Sequence, residues 1–110
     1  MDNRSLAADV LEAAGFQVTT AGNGLDGVIV AHYALPDVVV MDITMPILNG
    51  MEAARLLKAS PVTRRVNVLA YTAKPDFYDG PMQRLFADVL PKPAHAQVIT
   101  ERVRRLAVRA

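Results

Sequence analysis

Residues 37–42 read "DVVVMD". Four apolar side chains in a row between two carboxylates make a stretch of strand length, and its lack of alternation suits a strand covered on both faces, because successive residues point to opposite sides of a sheet. The stretch "VNVLAYTA" at 66–73 has the same character, and "ADVLP" at 87–91 is a shorter example. Around these runs the apolar period lengthens to that of a helix. "GLDGVIVAHYAL" is helical and ends at Pro36, "NGMEAARLLKAS" starts near Asn49 or Gly50 and stops before Pro61, and "DGPMQRLF" makes a short, poor helix. "HAQVITERVRRLAVRA" reads as a closing amphipathic helix, with Ile99, Val103 and Leu106 inward. Upstream, Leu6, Val10, Leu11 and Ala14 share a helical face ahead of Gly15, where a helix commonly stops, and "FQVTTA" at 16–21 alternates like a strand with one wet face. The order αβαβαβαβα predicts a parallel sheet with helices on both faces and with function collected at the carboxyl ends of the strands.

Composition narrows what such a domain can do. A chain of 110 residues is expected to form one domain, 1–110, with 52% apolar and 21% charged residues, the balance of a packed fold. Its formal net charge of +1 gives no electrostatic argument for nucleic acid or membrane as the main partner. The absence of cysteine excludes disulfides, thiolate metal sites and thiol catalysis. No apolar run approaches the roughly 20 residues of a membrane span, and "MDNRSLAADV" lacks the layout of a signal peptide, so a cytoplasmic location is expected.

Gly22, Gly24 and Gly27 in "AGNGLDG" match G-x-G-x-x-G, and Asp42 lies 20 residues past the first, the spacing of a dinucleotide fingerprint. That fingerprint follows a buried strand, whereas "FQVTTA" carries Gln17, Thr19 and Thr20. The glycines therefore read as a turn into a helix, and Asp42 needs a different explanation.

The strand ends supply it. "DVVVMD" ends in Asp42, "VNVLAYTA" at Thr72 and Ala73, and "ADVLP" runs into Lys92 and Pro93. In a parallel sheet these ends share one edge, bringing a carboxylate, a hydroxyl and an ammonium to one pocket. The carboxylate can act as nucleophile toward a phosphoryl group, the ammonium can neutralise its oxygens, and the hydroxyl can hydrogen-bond one of them. His32 and His95 have no second ligand nearby and read as structural or exposed. Asp2, Asp26, Asp37, Asp76, Asp79 and Asp88 read as caps, turns or solvent-facing charges, and Arg102, Arg104, Arg105 and Arg109 as a solvated basic stripe.

With these residues in place, the chain resembles a receiver domain of a two-component response regulator. "VVVMDITMPILNG" is similar to the phosphoacceptor segment of that family through Asp42, Met45, Pro46 and Gly50, "VLAYTA" to its switch-threonine strand, and "FADVLPKPA" to its Lys-Pro segment. The resemblance covers nearly the whole chain and implies a flavodoxin-like, CheY-like doubly wound fold. It implies a phosphoacceptor Asp42 that takes its phosphoryl group from a sensor histidine kinase or histidine phosphotransfer protein and so switches binding to a downstream partner. Thr72 would be the switch hydroxyl, Lys92 the ammonium that pairs with the phosphoryl group, and the Lys92–Pro93 bond would be cis. Mg²⁺ would be held by Asp42, the backbone carbonyl of Thr44 and an acidic pair closing the first strand. Such a domain is a signalling module rather than an enzyme. A haloacid-dehalogenase-like phosphatase would want a second acid at position 44, which is Thr44.

One part of the family pattern is missing. Its members begin with an apolar strand closing on two acids, whereas "MDNRSLAADVLEAAG" fits only the first helix, so Mg²⁺ is expected to bind weakly or not at all. In the 2-1-3-4-5 strand order the missing strand is central. Its loss predicts a four-stranded sheet if "FQVTTA" and "DVVVMD" pair directly, or a sheet completed by another chain, including a homodimer by strand exchange; a misplaced start is the third explanation. The alternative function is a degenerate receiver-like interaction or self-association module without phosphotransfer. Val89 stands where the family often has an aromatic switch residue, and Pro75, Gly80 and Pro81 predict a short, mobile helix between Thr72 and Lys92. Tyr71 and Tyr78 read as packing residues. The chain ends with its last helix, so no output domain is expected within it.

Overall fold

A computed structural model describes residues 3–42, 50–73 and 82–107. Among them, helices α1 (Asn3–Ala13) and α2 (Gly24–Ala34) follow one another, and strands β1 (Val38–Met41), β2 (Asn67–Thr72) and β3 (Asp88–Pro91) then alternate with helices α3 (Gly50–Ala59), α4 (Met82–Leu85) and α5 (Ala96–Ala107). The strands form one parallel sheet in the order β1-β2-β3. Val38 pairs with Asn67 and Met41 with Ala70, while Leu69 pairs with Asp88 and Thr72 with Pro91. No described helix is long and apolar enough to cross a membrane.

The uninterrupted apolar runs work as the strand argument requires. Val68 and Ala70 of β2, with Met41 of β1, face a cluster made with Val28 and Ala31 of α2, Ala53, Ala54 and Leu57 of α3, and Phe86. Leu69 and Tyr71, alternating with them, face a second cluster with Leu11 of α1, Leu90 of β3, and Ile99 and Val103 of α5. Both faces of β2 are dry from Val68 to Tyr71.

Local chemistry sets the helix ends. After α1, Gly15 sits at φ +98, a left-handed conformation that glycine adopts without steric penalty. Its N–H donates to the carbonyl of Glu12 at 3.0 Å, and the N–H of Phe16 donates to Leu11 at 3.1 Å, the paired closure of a Schellman motif. Phe16 and Leu11 share one apolar cluster, as that motif favours. At the start of α2, Asn23 is an extended N-cap whose Oδ1 accepts from the Asp26 N–H at 2.8 Å. The three glycines thus belong to a turn and a helix start.

The strand predicted over "FQVTTA" does not form. Residues 16–21 are neither helix nor strand, and the sheet has three described strands rather than four. The reason is pairing. An isolated extended segment has no hydrogen-bond ladder, and here 16–21 does not close onto β1; a groove of about 640 Å³ is lined by both.

Candidate functional site

Each of the three predicted residues is delivered to the same edge by strand register. Asp42 follows Met41, which pairs with Ala70; Thr72 lies two residues beyond Ala70; and Lys92 follows Pro91, which pairs with Thr72. Parallel strands end together, so residues 30 and 50 positions away from Asp42 in sequence reach it without any further device.

Lys92 and Asp42 are in direct contact, with Nζ donating to Oδ2 at 2.7 Å. The lysine side chain is 9% exposed and the aspartate 32% exposed, so the ammonium is largely desolvated while the carboxylate keeps a face toward water. The Lys92 Nζ also sits 5.2 Å above the centroid of the Tyr71 ring, a cation–π distance. Its backbone N–H donates to the Thr72 carbonyl at 2.8 Å, and the Lys92–Pro93 bond is cis, as the resemblance implied. The N–H of Ala94 then approaches the Tyr71 hydroxyl oxygen at 3.4 Å. Thr72 is 1% exposed at the end of β2.

The edge therefore offers one accessible carboxylate oxygen face, a fixed ammonium and a nearby buried hydroxyl. An incoming tetrahedral anion can be attacked by the first while its developing charge is met by the second. Thr44, Met45 and Pro46 lie outside the described residues, as do Asp2, Pro75, Asp76, Tyr78, Asp79, Gly80, Pro81 and Arg109. No group of three or more His, Asp or Glu side chains among the described residues is placed to hold a metal ion. Asp42 contributes one carboxylate, whose Oδ2 accepts from Lys92 Nζ, and Mg²⁺ is usually held by one or two carboxylates with waters completing its octahedron.

Other expectations meet specific outcomes. His32 is half-buried and structural: its Nδ1 lies 2.9 Å from the Val28 carbonyl and its Nε2 lies 3.1 Å from the Ser60 Oγ, tying α2 to the end of α3. His95 is exposed ahead of α5. The basic stripe is less free than its spacing suggests, because Arg102 donates to Asp88 Oδ2 at 2.7 Å and the Arg104 guanidinium stacks 5.8 Å from the Phe16 ring. Sequence reasoning missed that Asp88 partner, and it missed Tyr71 as the platform beneath Lys92. The one available signal for Tyr71 was its place beside Thr72, where alternation turns it to the opposite face.

Comparison with known proteins gives a consistent result. Residues 1–104 match the response regulator receiver domain. The chain is 48% identical to the protein PilH of Pseudomonas aeruginosa over 65 residues, 59% of this chain and 54% of that protein. It is 35% identical to the polar-differentiation response regulator DivK of Brucella anthropi over 71 residues, 64% of this chain and 58% of that protein. The matched stretch thus spans little more than half the length of these relatives. Among solved structures, the receiver domain of a Pseudomonas aeruginosa sensor histidine kinase, determined with a magnesium ion coordinated in its active site cleft, aligns with a TM-score of 0.87 at 27% identity, covering 96% of this chain and 88% of that one. The chemotaxis response regulator CheY4 of Vibrio cholerae aligns with a TM-score of 0.84 at 23% identity, covering 94% and 88%, and shares the fold.

Proposed function

Because this chain belongs to the response regulator receiver domain family, we propose that it accepts a phosphoryl group on Asp42 from a phosphohistidine of a sensor kinase or phosphotransfer protein, and that the change alters its affinity for a downstream protein. The observation that carries this reading is the contact between Lys92 Nζ and Asp42 Oδ2 at 2.7 Å, made at the sheet edge by residues 50 positions apart. An Asp42 oxygen forms the new O–P bond as the N–P bond of the donor breaks, and the imidazole leaves with the electron pair of that bond. Lys92, fixed over Tyr71, exchanges its carboxylate partner for the transferred oxygens, so the charge brought in by phosphorylation meets a desolvated cation. The hydroxyl of Thr72, one strand over, hydrogen-bonds a phosphoryl oxygen. A small phosphodonor supplied with Mg²⁺ in solution tests the reading through the intact mass of the protein. The expected result is a gain of one phosphoryl group, absent in Asp42→Asn and lost on treatment with hydroxylamine, which cleaves acyl phosphates. A gain that persists in Asp42→Asn refutes the assignment.

A further inference from the structure

Every large apolar side chain that stands exposed among the described residues lies on one pair of helices or at its ends: Leu25, Ile29 and Tyr33 on α2, Leu35 at its C-cap, Leu56 on α3 and Val62 just past α3. Scattered exposed apolar residues are ordinary, but a cluster on one face marks an interaction site. Leu25, Ile29 and Tyr33 fall at i, i+4 and i+8, a stripe about 12 Å long on the outer side of α2. Tyr33 is 87% exposed. α2 carries no lysine or arginine and one carboxylate, Asp26. The outer sides of α1 and α5 are charged instead, with Asp9 and Glu12 exposed on one and Glu101, Arg104 and Arg105 on the other. Leu56 widens the stripe. His32 Nε2 lies 3.1 Å from Ser60 Oγ across the seam between α2 and α3; Ile29 is one turn before His32 and Leu56 one turn before Ser60, so both border that seam.

We propose that the α2–α3 face binds a second copy of this chain in a two-fold pair, with α2 of one protomer antiparallel to α2 of its partner. The charges decide which occupant fits. α2 and α3 lead into the parallel strands β1 and β2 and run the same way, so their first turns lie at one end of the face. That end exposes Asp26 and Glu52, Arg55 stands exposed midway, and the far end exposes Arg64 and Arg65 with one carboxylate, Asp37. A two-fold axis near Ile29 sets Leu25 of one protomer against Tyr33 of the other, and each acidic end against a basic end. The face is thus complementary to itself. Helices of 11 and 10 residues make it about 16 Å by about 20 Å, smaller than the roughly 800 Å² per partner of a standard interface, so association is expected to be weak and concentration-dependent.

Sedimentation velocity of the 110-residue chain, from micromolar to millimolar concentration, tests this. The weight-average sedimentation coefficient is expected to rise toward that of a dimer. Ile29→Glu, which brings two carboxylates together at the axis, should weaken association about tenfold or more with an unchanged circular dichroism spectrum. Tyr33→Ser, at a position too exposed to affect folding, should weaken it independently. Asp26→Lys and Arg64→Glu should each weaken it, and the double variant, which exchanges the two signs, should recover it. Arg105→Glu, the same charge change on the exposed side of α5, should associate as the parent chain does. No rise in sedimentation coefficient, association unaffected by both Ile29→Glu and Tyr33→Ser, or a double variant no stronger than the two single ones overturns the proposal. The face includes neither Asp42 nor Lys92, so this pairing and the phosphoacceptor reading fail separately.

Discussion

The Asp42–Lys92 pair makes a prediction about stability whose asymmetry follows from exposure. Breaking a buried pair by removing one partner costs about 3–5 kcal/mol, because an uncompensated charge stays behind, whereas fully exposed pairs are worth roughly 0.2–1 kcal/mol. Here the two partners differ, at 9% exposed for the lysine and 32% for the aspartate. Asp42→Asn strands the ammonium that water reaches poorly, with the Tyr71 face and one neutral amide oxygen as its remaining side-chain partners among the described residues, so a loss of about 1–3 kcal/mol is expected. Lys92→Met leaves the carboxylate, which can rehydrate through its open face, and keeps an apolar stem over Tyr71, so a loss of under about 1 kcal/mol is expected.

Chemical denaturation of the wild type, both single variants and the double variant closes a thermodynamic cycle. Midpoints are compared after checking that the denaturant slope is unchanged. The expected coupling is about 1–2 kcal/mol, a difference in melting temperature of roughly 3–8 °C for a domain of this size. It should survive moderate salt, since desolvated pairs are poorly screened. Equal losses for the two single variants, or a coupling indistinguishable from zero, would refute the argument that the lysine end of the pair is the costly one to orphan.

Three further predictions test other parts of the structure. Lys58, whose Nζ donates to the carbonyls of Arg64 at 3.2 Å and Val66 at 2.8 Å, has its pKa lowered below 10.5 by desolvation. The unfolded chain therefore binds more protons between the lowered value and 10.5, and this group makes stability rise with pH across that alkaline window. Lys58→Met should flatten the rise, and identical slopes in the two proteins would count against it. Leu57 is 0% exposed in the α3 face of the core, so Leu57→Ala should cost about 2–5 kcal/mol by urea denaturation, and a loss below that range would mean the site collapses around the cavity. Asn23→Ala removes the oxygen that accepts from the Asp26 N–H and should cost about 1 kcal/mol, with Asn23→Ser largely restoring it; equal stability of the Ala and Ser variants would argue against the cap.

Most of the fold was legible in the sequence because the information lay within single segments. Runs such as "VVVM" and "VNVLAYT" declare two-sided burial by themselves, and Gly15 and Pro36 mark helix ends through backbone chemistry that depends on a few neighbours. The edge location of Asp42, Thr72 and Lys92 was legible for the same reason, since parallel strands that start in register finish together. The failure over "FQVTTA" is of a different kind. Its alternation is real, with Phe16 and Val18 packed on the α1 and α5 face and Gln17 and Thr19 exposed, yet a strand is a property of two segments, and periodicity in one says nothing about a partner. The Asp88–Arg102 and Lys92–Tyr71 contacts escaped similarly, because a charge or a ring gives no local sign of which distant group it will meet.

The pairing of β1 constrains the candidate site physically. β1 is held on one edge by β2, and Asp42 projects from its end, so the carboxylate's position depends on a strand with ladder bonds to a single described neighbour. A nucleophile gains from being held still, because attack needs the oxygen in line with the leaving group and a misplacement of about 1 Å can cost two orders of magnitude in rate. The ion pair to Lys92 supplies part of that restraint, anchored in turn by the Lys92 N–H on the Thr72 carbonyl. Hydrogen exchange of the Val38–Met41 amides reads this directly. Protection confined to alternate amides is expected, since one edge of β1 is bonded to β2; full protection of all four would mean that the second edge of β1 is bonded as well and that more than one ladder holds Asp42 in place.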